Sequence, residues 1–134
     1  MASILKVDEL QGIVSAGDIT VTSEGGAATM QLQQGLAKAW VHFNSSTGTP
    51  TAQDSLNLSS ITDSGTGIFQ PTYSSVFDND DYSFVAITGT GSGGGWAVEA
   101  ADRTTSRTKM YTLSSGDVLS DYSHNNALVH GDLA

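Results

Sequence analysis

The densest group of carboxylates in the chain is Asp78-Asn79-Asp80-Asp81, and oxygen donors so close together could hold a hard cation such as Ca²⁺. An EF-hand loop starting at Asp78 would need Gly at its sixth position and Glu at its twelfth. Ser83 and Gly89 stand there instead. Acids in such a run also cap neighbouring backbone N–H groups in a solvated turn. The turn is the reading taken, with Ca²⁺ left open and no metal ligand assigned. Gly89-Thr90-Gly91-Ser92-Gly93-Gly94 fits G-x-G-x-x-G, whose chemistry needs a helix N-terminus after the loop to hold a pyrophosphate. Trp96-Ala97-Val98-Glu99 follows and reads as a strand, so the glycines read as a hairpin tip and no cofactor is expected.

The three histidines, His42, His124 and His130, lack the H-x-x-x-H spacing of a helical ligand pair. No G-x-S-x-G elbow marks a nucleophile among the many serines. Glu99 and Asp102 could be paired for glycoside cleavage, but nothing prefers them to other carboxylates. No constellation assigns the roles a catalytic site requires, so the expectation is a non-enzyme. Trp40, Trp96, Tyr73, Tyr82, Tyr111 and Tyr122 offer flat faces with polar tips, suited to sugars or protein edges. For Trp40 and Trp96, core or subunit-interface packing is the competing role.

The elements that would position these residues are short strands. Ile4-Leu5-Lys6-Val7 and Ile19-Thr20-Val21-Thr22 are β-branched runs, read as a loose hairpin around Gly12 and Gly17. Met30 to Gly35 is the one stretch suited to a helical turn. Ala37 to Asn44 alternates, with Ala39, Val41 and Phe43 on one face and Trp40 and His42 on the other. Turns follow around Gly48 and at Asp63-Ser64-Gly65-Thr66-Gly67. Ile68 to Tyr73 carries Pro71, which argues for an edge strand. Tyr82 to Thr88 is apolar on both faces and reads as a central, doubly covered strand. Strands at Trp96–Ala100, Lys109–Leu113 and Ala127–His130 complete the set. The expected fold is all-β: an antiparallel β-sandwich-like domain over 37–134, with a β-strand or hairpin appendage over 1–36 for oligomerisation and attachment. Open edges and a core lean in large side chains point to a homo-oligomer.

The composition sets outer bounds. The chain has 134 residues, net charge −9 and only five Lys and Arg, which argues against nucleic acid as a partner. It has no cysteine, excluding disulfides and thiolate chemistry. No apolar run approaches the roughly 20 residues that span a bilayer, so no membrane insertion is expected. The first residues lack a basic region followed by an apolar one, so no secretion signal is expected.

Two segments resemble small bacteriophage tail-fibre and virion structural proteins. Leu5-Lys6-Val7-Asp8-Glu9-Leu10-Gln11 is similar to their N-terminal KVD-x-x-Q strand, and Ile19-Thr20-Val21-Thr22 to the strand that follows it. Ala37-Lys38-Ala39-Trp40-Val41-His42-Phe43-Asn44 is similar to their AKAWVxFN signature, with His42 where Asn is usual. Asp54 to Gly67 fits the accompanying SSITDxGTG segment almost position by position. Asp78 to Val85 resembles the approach to their central strand, and Ala127 to Asp132 their final strand, with His130 where an aromatic is commoner.

The resemblance implies a non-enzymatic virion component, a homotrimer made in the host cytoplasm and placed on the tail fibre or capsid surface. Leu5, Val7, Leu10, Ile19 and Val21 would serve oligomerisation and attachment to other virion proteins. Asp78, Asn79, Asp80, Asp81, Gly91, Ser92, Gly93 and Trp96 would be surface-contact positions toward a host glycan or protein. The neighbouring alternative is a capsid decoration (cement) protein, separated from a tail fibre by copy number and place.

Overall fold

The computed structural model describes residues 5–13, 19–22, 25–26, 28–90, 93–99 and 102–134. The chain divides into two compact units, Met1–Leu36 and Ala37–Ala134. In the first, β1 (Thr20–Thr22) pairs antiparallel with β2 (Thr29–Gln31), and one helical turn, α1 (Leu32–Gly35), follows directly. The Leu32 N–H donates to the Ile19 carbonyl at 2.7 Å. The expected hairpin between residues 4–7 and 19–22 is not formed. Ile4 lies outside the described residues, and Leu5 to Val7 belong to no strand. Thr20–Thr22 finds its partner downstream instead. The turn there includes Gly26 at φ 70°, a left-handed conformation that glycine adopts freely. That short connection closes with less entropy loss than the longer upstream loop.

The second unit is built from two antiparallel sheets. One has the order β4-β3-β11-β7-β8, from β3 (Ala39–Asn44), β4 (Thr51–Leu56), β7 (Ser83–Thr90), β8 (Gly93–Gly94) and β11 (His124–His130). The other has the order β5-β6-β10-β9, from β5 (Leu58–Asp63), β6 (Ile68–Tyr73), β9 (Trp96–Glu99) and β10 (Met110–Leu113). At both margins the chain passes from one sheet to the other through a single residue. Asn57, at φ 56°, links β4 to β5, and Gly95 links β8 to β9. Asparagine tolerates the left-handed region better than most residues. Its side chain also fixes the corner: Nδ2 donates to the Ser75 carbonyl at 3.0 Å, and Oδ1 accepts from the Ser75 N–H at 2.6 Å. At Gly95 the need is steric. A Cβ there would stand 2.5 Å from the Leu113 carbonyl oxygen and 2.6 Å from the Tyr122 ring.

The strict alternation of β3 and β11 sends Ala39, Val41, Phe43, Ala127 and Val129 inward. There they meet Phe69 of β6 and Met110 of β10, so the buried clusters draw on both sheets. The Phe43 and Phe69 rings pack edge to face at 5.2 Å. Tyr73, Phe77 and Tyr82 form a second aromatic group between the ends of Ala39 and Val129.

Two strand expectations need correction. Residues 82–88 are not covered on both faces: Val85 is 60 % and Ile87 63 % exposed, while Phe84 and Ala86 pack inward. The apolar alternate positions mark an uncovered outward face, not a second layer. Nor is β6 an edge strand, because β5 and β10 flank it. Pro71 is accommodated because the β6–β10 ladder is confined to residues 68 and 69. Beyond it Pro71 contributes only its carbonyl, which accepts from the Thr108 N–H at 3.1 Å, and the Tyr73 N–H then donates to the Ser106 carbonyl at 2.8 Å.

Candidate binding surfaces

All four residues of the acidic turn, Asp78 to Asp81, are exposed, and the turn is tied to its surroundings through main-chain atoms. The Asp78 N–H donates to the Asp132 carbonyl at 2.9 Å. The Asn79 Oδ1 accepts from the Asp81 N–H at 2.9 Å, an Asx turn. Arg103 braces it from the side. Its guanidinium forms a bidentate pair with Glu99, donates to the Asp80 carbonyl at 3.2 Å and lies 4.9 Å over the Tyr82 ring. The Glu99 carboxylate raises the Arg103 pKa further. Among the described residues no three His, Asp or Glu side chains converge as metal ligands would.

The glycine-rich tip is a hairpin between strands. Gly89 pairs with Gly94 and Thr90 with Gly93, and the chain then enters β9 rather than a helix. Among the described residues the element that follows the tip is the strand β9. Gly91 and Ser92 lie outside the described residues. Gly93 is within β8. Trp96 begins β9 opposite Leu113, is 44 % exposed, and donates through Nε1 to the Ser114 carbonyl at 3.0 Å. Its position is fixed while one face stays open.

In the first unit the apolar residues stay exposed: Leu5, Val7 and Leu10 are 78 %, 54 % and 52 % open, and Ile13 is fully so. Val21 on β1 pairs with Met30, and both are exposed, while Ile19 is half-buried.

A third surface escaped the sequence reading. The register places Leu56, Trp40, Leu128 and Val85 side by side across β4, β3, β11 and β7. The next row is Asp54, His42, Asn126 and Ile87. Trp40, Val85, Ile87 and Leu128 line a shallow hollow on this outward face, about 380 Å³ in volume. Trp40 is thus a surface residue here and not core. His42, His124 and His130 share this face, with the His42 and His124 rings stacked at 5.8 Å. The signal was present in the alternation of Trp40 with His42, but the partners of that face depend on strand order.

Behind these surfaces lie two buried polar networks. Thr108 Oγ1 stands 2.6 Å from both the Tyr73 and Tyr82 hydroxyls, and Tyr82 also donates to the carbonyls of Thr104 and Arg107. Burial pushes both phenols above their ordinary pKa, Tyr73 the more strongly. Asn125, fully buried, donates to the carbonyls of Phe43 and Tyr122 and to Ser45 Oγ, and accepts from Thr88 Oγ1. These networks fix the 102–109 connection and the end of β11. No known protein family, curated protein or solved structure matches the chain.

Proposed function

We propose that this chain is a non-enzymatic bacteriophage virion structural protein of the tail-fibre type. Residues 1–36 attach it and assemble it as a homotrimer, and residues 37–134 form a β-sandwich displayed toward the host surface. The observation that carries the attachment role is the exposure of Leu5, Val7, Leu10 and Ile13 in the first unit. Such a concentration of open apolar side chains is costly in water and is relieved by packing against another chain. The sandwich reading is supported by buried clusters that take residues from both sheets, such as Phe43 and Phe69. The phage assignment is supported by the likeness of residues 37–44 and 54–67 to virion signatures. The turn at residues 78–81 and the open face of Trp96 then serve as host contacts, toward a surface glycan or protein.

The test is competition. Purified full-length protein should slow adsorption of the phage that carries it, and substitutions at Asp80 and Trp96 should weaken that effect. Competition no stronger than that of an unrelated β-protein would refute the adhesin role. Deleting residues 1–22 should lower the mass measured by light scattering, and an unchanged trimer would refute the assembly role.

A further inference from the structure

His42 and His124 lie far apart in the chain, yet the five-stranded sheet brings their rings to 5.8 Å between centroids, 21° from parallel. His42 is opposite Asn126 in the β3–β11 register, so His124, two residues along β11, takes the diagonal position on the same outward face. Side chains at diagonal positions of one sheet face are within reach of each other. His124 is exposed and His42 half-buried. Among the described residues, neither imidazole has a hydrogen-bond partner, so their ring nitrogens are open to a ligand. We propose that this pair is a binding site for a divalent transition-metal ion of the Zn²⁺, Ni²⁺ or Cu²⁺ class.

Distance is the first argument. A Zn–N bond of about 2.1 Å sets the ion roughly 3.2 Å from the centre of the ring it binds. Two imidazoles on one ion then have centroids about 5.2–5.8 Å apart, for angles at the metal from tetrahedral to about 130°. The observed 5.8 Å is at the open end of that range. The backbone beneath the pair is held on both sides, with β3 between β4 and β11, and β11 between β3 and β7. Binding therefore orders two side chains and no main chain, which keeps its entropic cost low.

The donor set selects the ion. Imidazole nitrogens suit Zn²⁺, Ni²⁺ and Cu²⁺, whereas Ca²⁺ and Mg²⁺ take six or more oxygen donors. Charge points the same way. No Lys or Arg stands on β3, β4, β7, β8 or β11, and the chain carries net charge −9, so the field over this face attracts a cation. Asp54, opposite His42 on β4, adds to that field, while its Oδ1 accepts from the Ser55 N–H at 2.8 Å. Among the described residues no third His, Asp or Glu converges on the pair, so two imidazoles hold the ion and water completes its coordination. His130 shares the face but stands six residues further along β11, about 20 Å away, too far to join. It is a built-in control.

Calorimetric titration of the full-length chain, free of any added histidine tag, with ZnCl₂ tests this, and far-UV circular dichroism checks folding. One ion should bind per chain. His42→Gln and His124→Gln should each weaken binding by about ten-fold or more, because the second donor of the wild type attaches within the same molecule. His130→Gln should follow wild type, and excess CaCl₂ should leave the titration unchanged. In side-chain ¹⁵N spectra of the wild type, Zn²⁺ should move the ring nitrogens of His42 and His124 and spare those of His130, a readout independent of any substitution. No binding below about 1 mM Zn²⁺ overturns the proposal, as does binding that both His42→Gln and His124→Gln retain. Binding that is lost with Asp80→Asn, or displaced by Ca²⁺, assigns the ion to the acidic turn and overturns it equally.

Discussion

Replacing Thr108 by Val removes one buried oxygen and nothing else of consequence in volume. Thr108 is fully buried, and its Oγ1 lies 2.6 Å from the hydroxyls of both Tyr73 and Tyr82. Tyr82 keeps the carbonyls of Thr104 and Arg107 as acceptors, at 2.9 and 3.0 Å. Tyr73 loses its threonine partner while remaining 5 % exposed. Two hydrogen bonds at about 1 kcal/mol each, plus about 1 kcal/mol for the poorly satisfied Tyr73 hydroxyl, give a destabilisation of roughly 3 kcal/mol. For a domain of this size each kcal/mol shifts Tm by about 4–8 °C, so a fall of roughly 12–24 °C is expected. Urea denaturation followed by tryptophan fluorescence should show the same loss with an unchanged slope. Tyr73→Phe added to Thr108→Val should cost about 1 kcal/mol less than it does in the wild type, because the two groups share one bond. A Thr108→Val loss below about 0.5 kcal/mol would refute the claim that this triad secures the 102–109 connection.

Three further outcomes follow from the same packing. Gly95→Ala should destabilise by roughly 2–3 kcal/mol in the same urea assay, since its Cβ meets the Leu113 carbonyl and the Tyr122 ring below 3 Å. Asn125→Leu should cost roughly 3 kcal/mol by thermal unfolding, because it strips an acceptor from Thr88 and a donor from Phe43, Ser45 and Tyr122. Alkaline stability has a defined sign. The Tyr73 phenol has a folded pKa above its ordinary value, so its stabilising contribution is intact below about pH 10 and is lost as pH rises beyond that. Phenolate absorbance from Tyr73 should therefore emerge together with unfolding, and Tyr73→Phe should remove that component.

The inward faces of β3 and β11 were legible because alternation is a local property: Ala39, Val41 and Phe43 needed no knowledge of their neighbours. The turns at Gly48 and at residues 64–67 were legible for the same reason, glycine and aspartate chemistry acting over a few residues. What escaped depends on pairing between distant segments. The open face of Val85 and Ile87 follows from the position of β7 between β11 and β8, which no local pattern specifies. Pro71 misled because the regular β6–β10 ladder covers only residues 68 and 69, and at position 71 the neighbouring segment asks only for the proline's carbonyl, which accepts from the Thr108 N–H. The N-terminal strand at Leu5 to Val7 misled through propensity alone, since a β-branched run without a paired neighbour has nothing to hold it extended. Among the proposed contact residues, Trp96 was recognisable from its type, but the Ser114 carbonyl that fixes it lies across the β9–β10 hairpin and could not be read in advance.

The central claim is that this chain is a built-in part of a phage particle. Labelling intact, gradient-purified particles with an antibody to residues 37–134 tests it most directly, read by electron microscopy with mass spectrometry of the same fraction. Label confined to the tail, with the chain present in every particle preparation, is the predicted result. Label spread over the head would contradict the tail-fibre reading in favour of capsid decoration, and particles without the chain would contradict the virion role altogether.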